Sequence, residues 1–135
     1  FYAKQDHVQS GFARFMASHN NVVVLDLNNL KESIQTIGEA LKRGKNVIVF
    51  PEGTRTVTGK LGTFKKMFAI LSKELNVPIV PVAISGAYEV MPKGSKIPKR
   101  GKVSVEFLKP IQPHATDTYA SLTDKVHDAI AAVLH

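Results

Sequence analysis

Apolar residues recur along this chain with two different periods. Leu30, Ile34, Ile37 and Leu41 stack on one helical stripe that ends on basic Lys42 and Arg43 and then Gly44, predicting an amphipathic helix stopped by a glycine. Asn28 and Asn29 stand before it as candidate caps. Directly after it, 46–50 is a short β-branched apolar run cut off by Pro51, as a buried strand opening into a functional loop would be. A second helix is expected over 63–75, with Phe64, Met67, Phe68, Leu71 and Leu75 inward and Lys65, Lys66, Lys73 and Glu74 outward. Val77 and Pro78 restart the chain as a strand over 79–84, closed by Ser85-Gly86. Val103, Val105 and Phe107 alternate with Ser104 and Glu106, the period of a half-exposed strand, and 22–25 reads as a fourth strand. In the tail, 117–134, Tyr119, Leu122, Val126, Ile130 and Val133 return to near-helical spacing behind Asp117 as the predicted N-cap.

Strands alternating with helices predict a layered α/β domain with a mostly parallel central sheet flanked by helices. In such sheets ligands bind beyond the carboxyl ends of the strands. The loop that begins at Pro51 occupies that place. No internal repeat, low-complexity tract or linker divides the 135 residues, so a single domain over 1–135 is expected. The absence of cysteine removes disulfides, thiolate metal sites and cysteine nucleophiles together. The runs 22–25 and 47–50 fall far short of the roughly 20 apolar residues of a membrane span. Residues 1–9 do not read as a signal peptide, and the missing initiator Met suggests a processed or excised piece. Eighteen basic against eleven acidic side chains leave a net charge of +7, which favours anionic partners.

The stretch Phe50-Pro51-Glu52-Gly53-Thr54-Arg55 puts a carboxylate, a glycine and an arginine in tight order behind a predicted strand. Pro51 fixes one torsion, Gly53 permits close backbone approach, and Arg55 offers a planar fork suited to phosphate or carboxylate, with Glu52 placed to hold that fork. An ordinary strand-to-helix turn with a surface Glu–Arg pair has the same composition. A nucleotide-binding phosphate loop is a poor match. Five residues rather than four separate Gly53 from Gly59, and Lys60 is followed by Leu61, which carries no hydroxyl for magnesium.

Phe50 to Arg55 resembles, residue for residue, the F-P-E-G-T-R block of the glycerolipid acyltransferases typified by lysophosphatidic acid acyltransferase. Phe1-Tyr2-Ala3-Lys4 is similar to that family's F-x-A-K segment, and Val80-Pro81-Val82 to its V-P-V block. The stretch Val24-Leu25-Asp26-Leu27-Asn28 looks closer to the acyltransferase halves fused to acyl–acyl-carrier-protein synthetases. The resemblance implies transfer of a fatty acyl group from coenzyme A or acyl carrier protein to a hydroxyl of a lysophospholipid or glycerol phosphate. It implies no metal or other cofactor, and work at a membrane surface on the cytoplasmic side, with any membrane spans outside this stretch. It makes Arg55 the residue that grips the acceptor phosphate and Lys4 a second cation. Glu52 and Thr54 would then shape the acceptor site, Pro51 and Gly53 would set its backbone, and Pro81 would hold the neighbouring strand end.

The family's catalytic element is a His followed five positions later by an Asp that orients it, so that His takes the proton of the attacking hydroxyl. No such pair occurs here. The offset finds Phe12 for His7, Val24 for His19 and Tyr119 for His114, while His127 and His135 belong to the last helix. The family places this motif shortly upstream of F-x-A-K, so the expected reading is a truncated acyltransferase domain, inactive by itself, whose parent carries the base. Met67 and Phe68 stand where many relatives have a small residue, a change that either shortens an acyl groove or fills the core. Lys93, Lys96, Lys99, Arg100 and Lys102 make a basic, glycine- and proline-punctuated segment on which lipid headgroups or an acidic acyl carrier protein could dock, if it is not simply solvated. Nucleic acid is a poorer partner, because no aromatics interleave the basic run. The alternative to an enzyme is a non-catalytic α/β module that binds phosphate or lipid headgroups.

Overall fold

The computed structural model describes residues 2–4, 23–25, 30–95 and 97–134. The chain divides into two compact units, Phe1–Val49 and Phe50–His135.

In the first unit, β1 (Tyr2–Lys4) and β2 (Val23–Leu25) pair in parallel, Tyr2 opposite Val23 and Lys4 opposite Leu25. Helix α1 (Leu30–Lys42) follows, with Ile37 of its apolar stripe fully buried. It ends as the glycine predicts. Gly44 adopts φ +73°, its N–H bonds the Leu41 carbonyl at 2.9 Å, and Lys45 N–H reaches back to the Ala40 carbonyl at 3.0 Å, satisfying two of the carbonyls that a helix end leaves open. Asn28, Asn29 and Val22 lie outside the described residues.

The run 46–50 is a correction to the sequence reading. Expected as a buried strand, it lies outside any strand ladder among the described residues, with Ile48 49% and Phe50 57% exposed. A β-branched run favours extended backbone, but it becomes a strand only where another segment supplies the opposing N–H and C=O groups.

The second unit contains α2 (Met67–Leu75), β3 (Val82–Ser85), α3 (Ala87–Val90), β4 (Ser104–Phe107) and α4 (Tyr119–Ala131). Strands β3 and β4 pair antiparallel from Val82 opposite Phe107 to Ser85 opposite Ser104, and Ile79 and Ile111 exchange two further backbone bonds of 2.9 and 2.7 Å. The described strands form two two-stranded sheets, one parallel and one antiparallel, and by themselves do not establish the mostly parallel central sheet expected. Periodicity locates a strand but does not choose its neighbour. Nor does it choose which faces are covered, since every residue of β4 is exposed and Phe107 is 74% exposed.

Helix α2 packs on α4, and the core lies between them: Phe68, Ala69 and Leu71 from one, Leu122, Val126 and Ile130 from the other, with Phe64 beside them. Phe64 meets Phe68 edge-on at 6.3 Å and His127 edge-on at 5.0 Å. Phe68 is thus a core residue, while Met67 is half-buried. The helix begins at Met67 rather than Thr63, and ahead of it Gly62 N–H bonds the Glu52 carboxylate at 2.8 Å and Lys65 N–H the Pro51 carbonyl at 2.9 Å. It ends on Asn76 in the left-handed conformation, φ +50°, with Val77 N–H bonded to the Ser72 carbonyl.

Thr118, not Asp117, caps α4: its Oγ1 accepts from Ser121 N–H and the Ser121 hydroxyl oxygen accepts from Thr118 N–H, both at 3.0 Å. Asp117 sits one residue earlier, 6% exposed, accepting from Lys125 Nζ at 2.5 Å and from His114 N–H at 2.9 Å. The bond from Lys125, then that from His114, hold its carboxyl below the usual 3.8, against the opposing effect of burial. A depressed carboxylate stabilises the fold above its unfolded pKa and loses that contribution as pH falls through its folded value. The stability gap between the wild-type chain and Asp117→Asn, measured by chemical denaturation, is therefore expected at about pH 6 and shrinks towards about pH 2. A gap of constant size across that range would show that the charge is not what stabilises this turn.

Candidate substrate-binding loop

Phe50 to Gly53 form a tight turn, Gly53 N–H bonding the Phe50 carbonyl at 3.1 Å, with Pro51 in the second position and Gly53 at φ +68°. The turn is anchored from both of its inner residues. The Pro51 carbonyl accepts from Lys65 N–H, and Glu52 Oε2 accepts from Gly62 N–H. A β-carbon at position 62 would stand 2.6 Å from that oxygen, so a side chain there would push the carboxylate aside. The expectation that Glu52 holds the Arg55 fork is thereby corrected, because its carboxylate bonds backbone ten residues downstream.

Arg55 is exposed, and its guanidinium has no hydrogen-bond or ion-pair partner among the described residues. Thr54 is also exposed, its hydroxyl only 3.5 Å from the Arg55 carbonyl. Beyond them Thr56 Oγ1 accepts from the N–H groups of Thr58 (3.2 Å) and Gly59 (3.1 Å). Tyr88, on α3 just past the carboxyl end of β3, donates its hydroxyl to the Val57 carbonyl at 3.1 Å, and its ring lies where a Gly59 side chain would point. The loop is thus pinned at 51–52 and again at 57–59, and Arg55 stands between the two anchors.

Of the other predicted site residues, Pro81 is buried immediately before β3, its carbonyl accepting from Leu108 N–H at 2.9 Å. Lys4 ends β1 in the first unit. Three residues that position this loop escaped the sequence reading: Gly62, Tyr88 and Lys65. The first two act across separations of ten and 31 residues that no periodicity marks. Lys65 read as a solvated position on a helix face, because the pattern placed it inside a helix that begins two residues later.

The acyltransferase family's model matches residues 1–85, which carry both β1 and the F-P-E-G-T-R loop. The crystal structure of the 1-acyl-sn-glycerophosphate acyltransferase from Thermotoga maritima superposes with a TM-score of 0.84 at 30% identity, over 98% of this chain and 54% of that one. A chloroplastic 1-acyl-sn-glycerol-3-phosphate acyltransferase from Brassica napus is 35% identical over 108 residues, 79% of this chain and 30% of that protein. The chain belongs to the glycerolipid acyltransferase family. Its fold is the α/β fold of that family. A further glycerolipid acyltransferase, the 1-acyl-sn-glycerol-3-phosphate acyltransferase of Saccharomyces cerevisiae, is 33% identical over 118 residues, 82% of this chain and 39% of that protein. The chain spans about a third of the length of the curated relatives it matches. No helix among the described residues is long and apolar enough to cross a membrane.

Proposed function

We propose that the protein to which this chain belongs transfers a fatty acyl group from acyl-CoA or acyl carrier protein to the free hydroxyl of a lysophospholipid or glycerol phosphate. In this reaction the acceptor oxygen forms an ester bond to the acyl carbon, the carbon–sulfur bond breaks, and the hydroxyl proton ends on the departing thiol. The observation that carries the reading is an exposed Arg55, without a partner among the described residues, on a loop fastened at both ends. A preset guanidinium fork suits a phosphate, and gripping the acceptor phosphate presents its hydroxyl to the donor. The relatives' names, 1-acyl-sn-glycerol-3-phosphate acyltransferase, support a phosphorylated acceptor. The reading invokes no metal. The net charge of +7 supports action at an anionic membrane surface on the cytoplasmic side, or on an acidic carrier protein.

No His in this sequence has an Asp five positions later, so the base that deprotonates the acceptor is assigned to the region upstream of F-x-A-K in a larger acyltransferase domain. The test is acyl transfer by the whole protein, with labelled acyl-CoA and acyl carrier protein, against a panel of lysophospholipids and glycerol phosphate. Transfer abolished by changing the upstream His is expected, and none by the purified 135-residue chain. Turnover by that chain above a heat-inactivated control would overturn the assignment of the base. No transfer by the folded whole protein, with vesicles supplied, would leave phosphate binding without catalysis as the better reading.

A further inference from the structure

Lys65 folds back over the Phe50–Gly53 turn, two residues before Arg55. A β-carbon built on Gly53 would stand 3.0 Å from Lys65 Nζ and 3.1 Å from its Cε, so the aliphatic stem and the ammonium lie directly on the Gly53 backbone. Two features hold them there. The Lys65 N–H is bonded to the Pro51 carbonyl at 2.9 Å, which fixes where its side chain starts. Gly53, with no side chain and φ +68°, leaves open the space that the stem fills. No carboxylate pairs with Nζ among the described residues, Glu52 being committed to Gly62.

The loop 50–55 therefore carries two cations without an ion-pair partner among the described residues, Arg55 from its own sequence and Lys65 from the segment before α2. Like charges on one loop raise each other's energy, and a bound anion that meets both relieves it. We propose that Lys65 is a second phosphate-binding residue, which together with Arg55 grips the phosphate monoester of the acceptor. Arg55 supplies the planar fork and Lys65 a point charge over Gly53. The proposal rests on the reading of this loop as the acceptor site. It assigns Lys65 to the acceptor phosphate rather than to the phosphates of coenzyme A, because Lys65 lies at Gly53, two residues before Arg55 on the same loop.

The experiment uses the whole protein and the variants Lys65→Met, Lys65→Arg and Arg55→Ala. Binding of glycerol 3-phosphate and of a short-chain lysophosphatidate is measured by titration calorimetry, and KM is measured separately for acceptor and for acyl-CoA. Lys65→Met is expected to weaken acceptor binding and raise acceptor KM by about ten- to a hundredfold, as loss of a charge-assisted contact does, with donor KM unchanged. Lys65→Arg is expected to restore most of the affinity, which a purely structural role would not predict. Should Lys65→Met fail to fold by circular dichroism, Lys65→Gln serves in its place. Acceptor affinity within about twofold of wild type would overturn the proposal, as would a loss confined to acyl-CoA. A loss on Arg55→Ala with none on Lys65→Met would overturn it while leaving the acceptor-site reading standing. No acceptor binding by the wild-type protein would overturn both.

Discussion

Replacing Arg55 by alanine in the whole protein is expected to lower kcat/KM for the phosphorylated acceptor by about 10²- to 10³-fold. A guanidinium on a phosphate makes two charge-assisted hydrogen bonds of about 1.5–3 kcal/mol each, and every 1.4 kcal/mol is about tenfold. Because the two are not fully additive, the lower part of their sum is the better guide. The substitution is also a clean one. Glu52 does not depend on Arg55, since its carboxylate bonds Gly62 N–H, so no buried charge is orphaned and the loop keeps its anchors. The thermal midpoint is expected to stay near that of wild type while the kinetics change. Arg55→Lys should recover only part of the loss, because an ammonium offers a point charge and no planar fork. Steady-state kinetics with acceptor and donor varied in turn check this. An equal fall in donor and acceptor kcat/KM, or an acceptor KM and kcat that do not move, would remove Arg55 from the acceptor site.

The largest effect on stability is expected from Gly86→Ala. Gly86 closes β3 at φ +77°, and a β-carbon there would stand 2.0 Å from the backbone carbonyl oxygen of Lys102. That oxygen belongs to the chain entering β4 and cannot swing aside as a side chain would, so the hairpin must shift. Left-handed backbone costs a non-glycine residue about 1–2 kcal/mol, and forcing atoms into filled space adds about 1–3 kcal/mol, so a loss of about 2–5 kcal/mol is expected. Gly94 provides the control within the same unit. It too has a positive φ, +95°, but a β-carbon there meets nothing within 4 Å. Gly94→Ala should therefore cost about 1–2 kcal/mol, the backbone part alone. Equilibrium denaturation of the two variants separates the contributions. Equal losses would mean that the Lys102 contact is relieved without cost.

The elements with strong local signals were legible in the chain. Helix α1 ends at the glycine that terminates its apolar stripe, α4 buries Leu122, Val126 and Ile130 as their spacing predicts, and β3 and β4 fall within or beside the predicted runs. These outcomes depend on neighbours three or four residues apart, or on alternation, which the order of residues states directly. The six residues Phe50 to Arg55 stand out by type as a candidate anion-binding loop, and the structure adds how that loop is anchored.

The order of residues establishes the local elements, the family that the chain resembles and which residues are candidates for the chemistry. Tertiary structure decided what each of them bonds. Glu52 pairs with Gly62, Lys65 lies over Gly53, Tyr88 ties down Val57, and Asp117 leaves the helix cap to Thr118 while it accepts from Lys125. It also decided that 46–50 lies outside a ladder among the described residues and that β3 and β4 run antiparallel. The physical reason is the same throughout. A hydrogen bond or an ion pair is a property of two groups brought together by the path of the chain, and a residue's type and local period fix only one of the two.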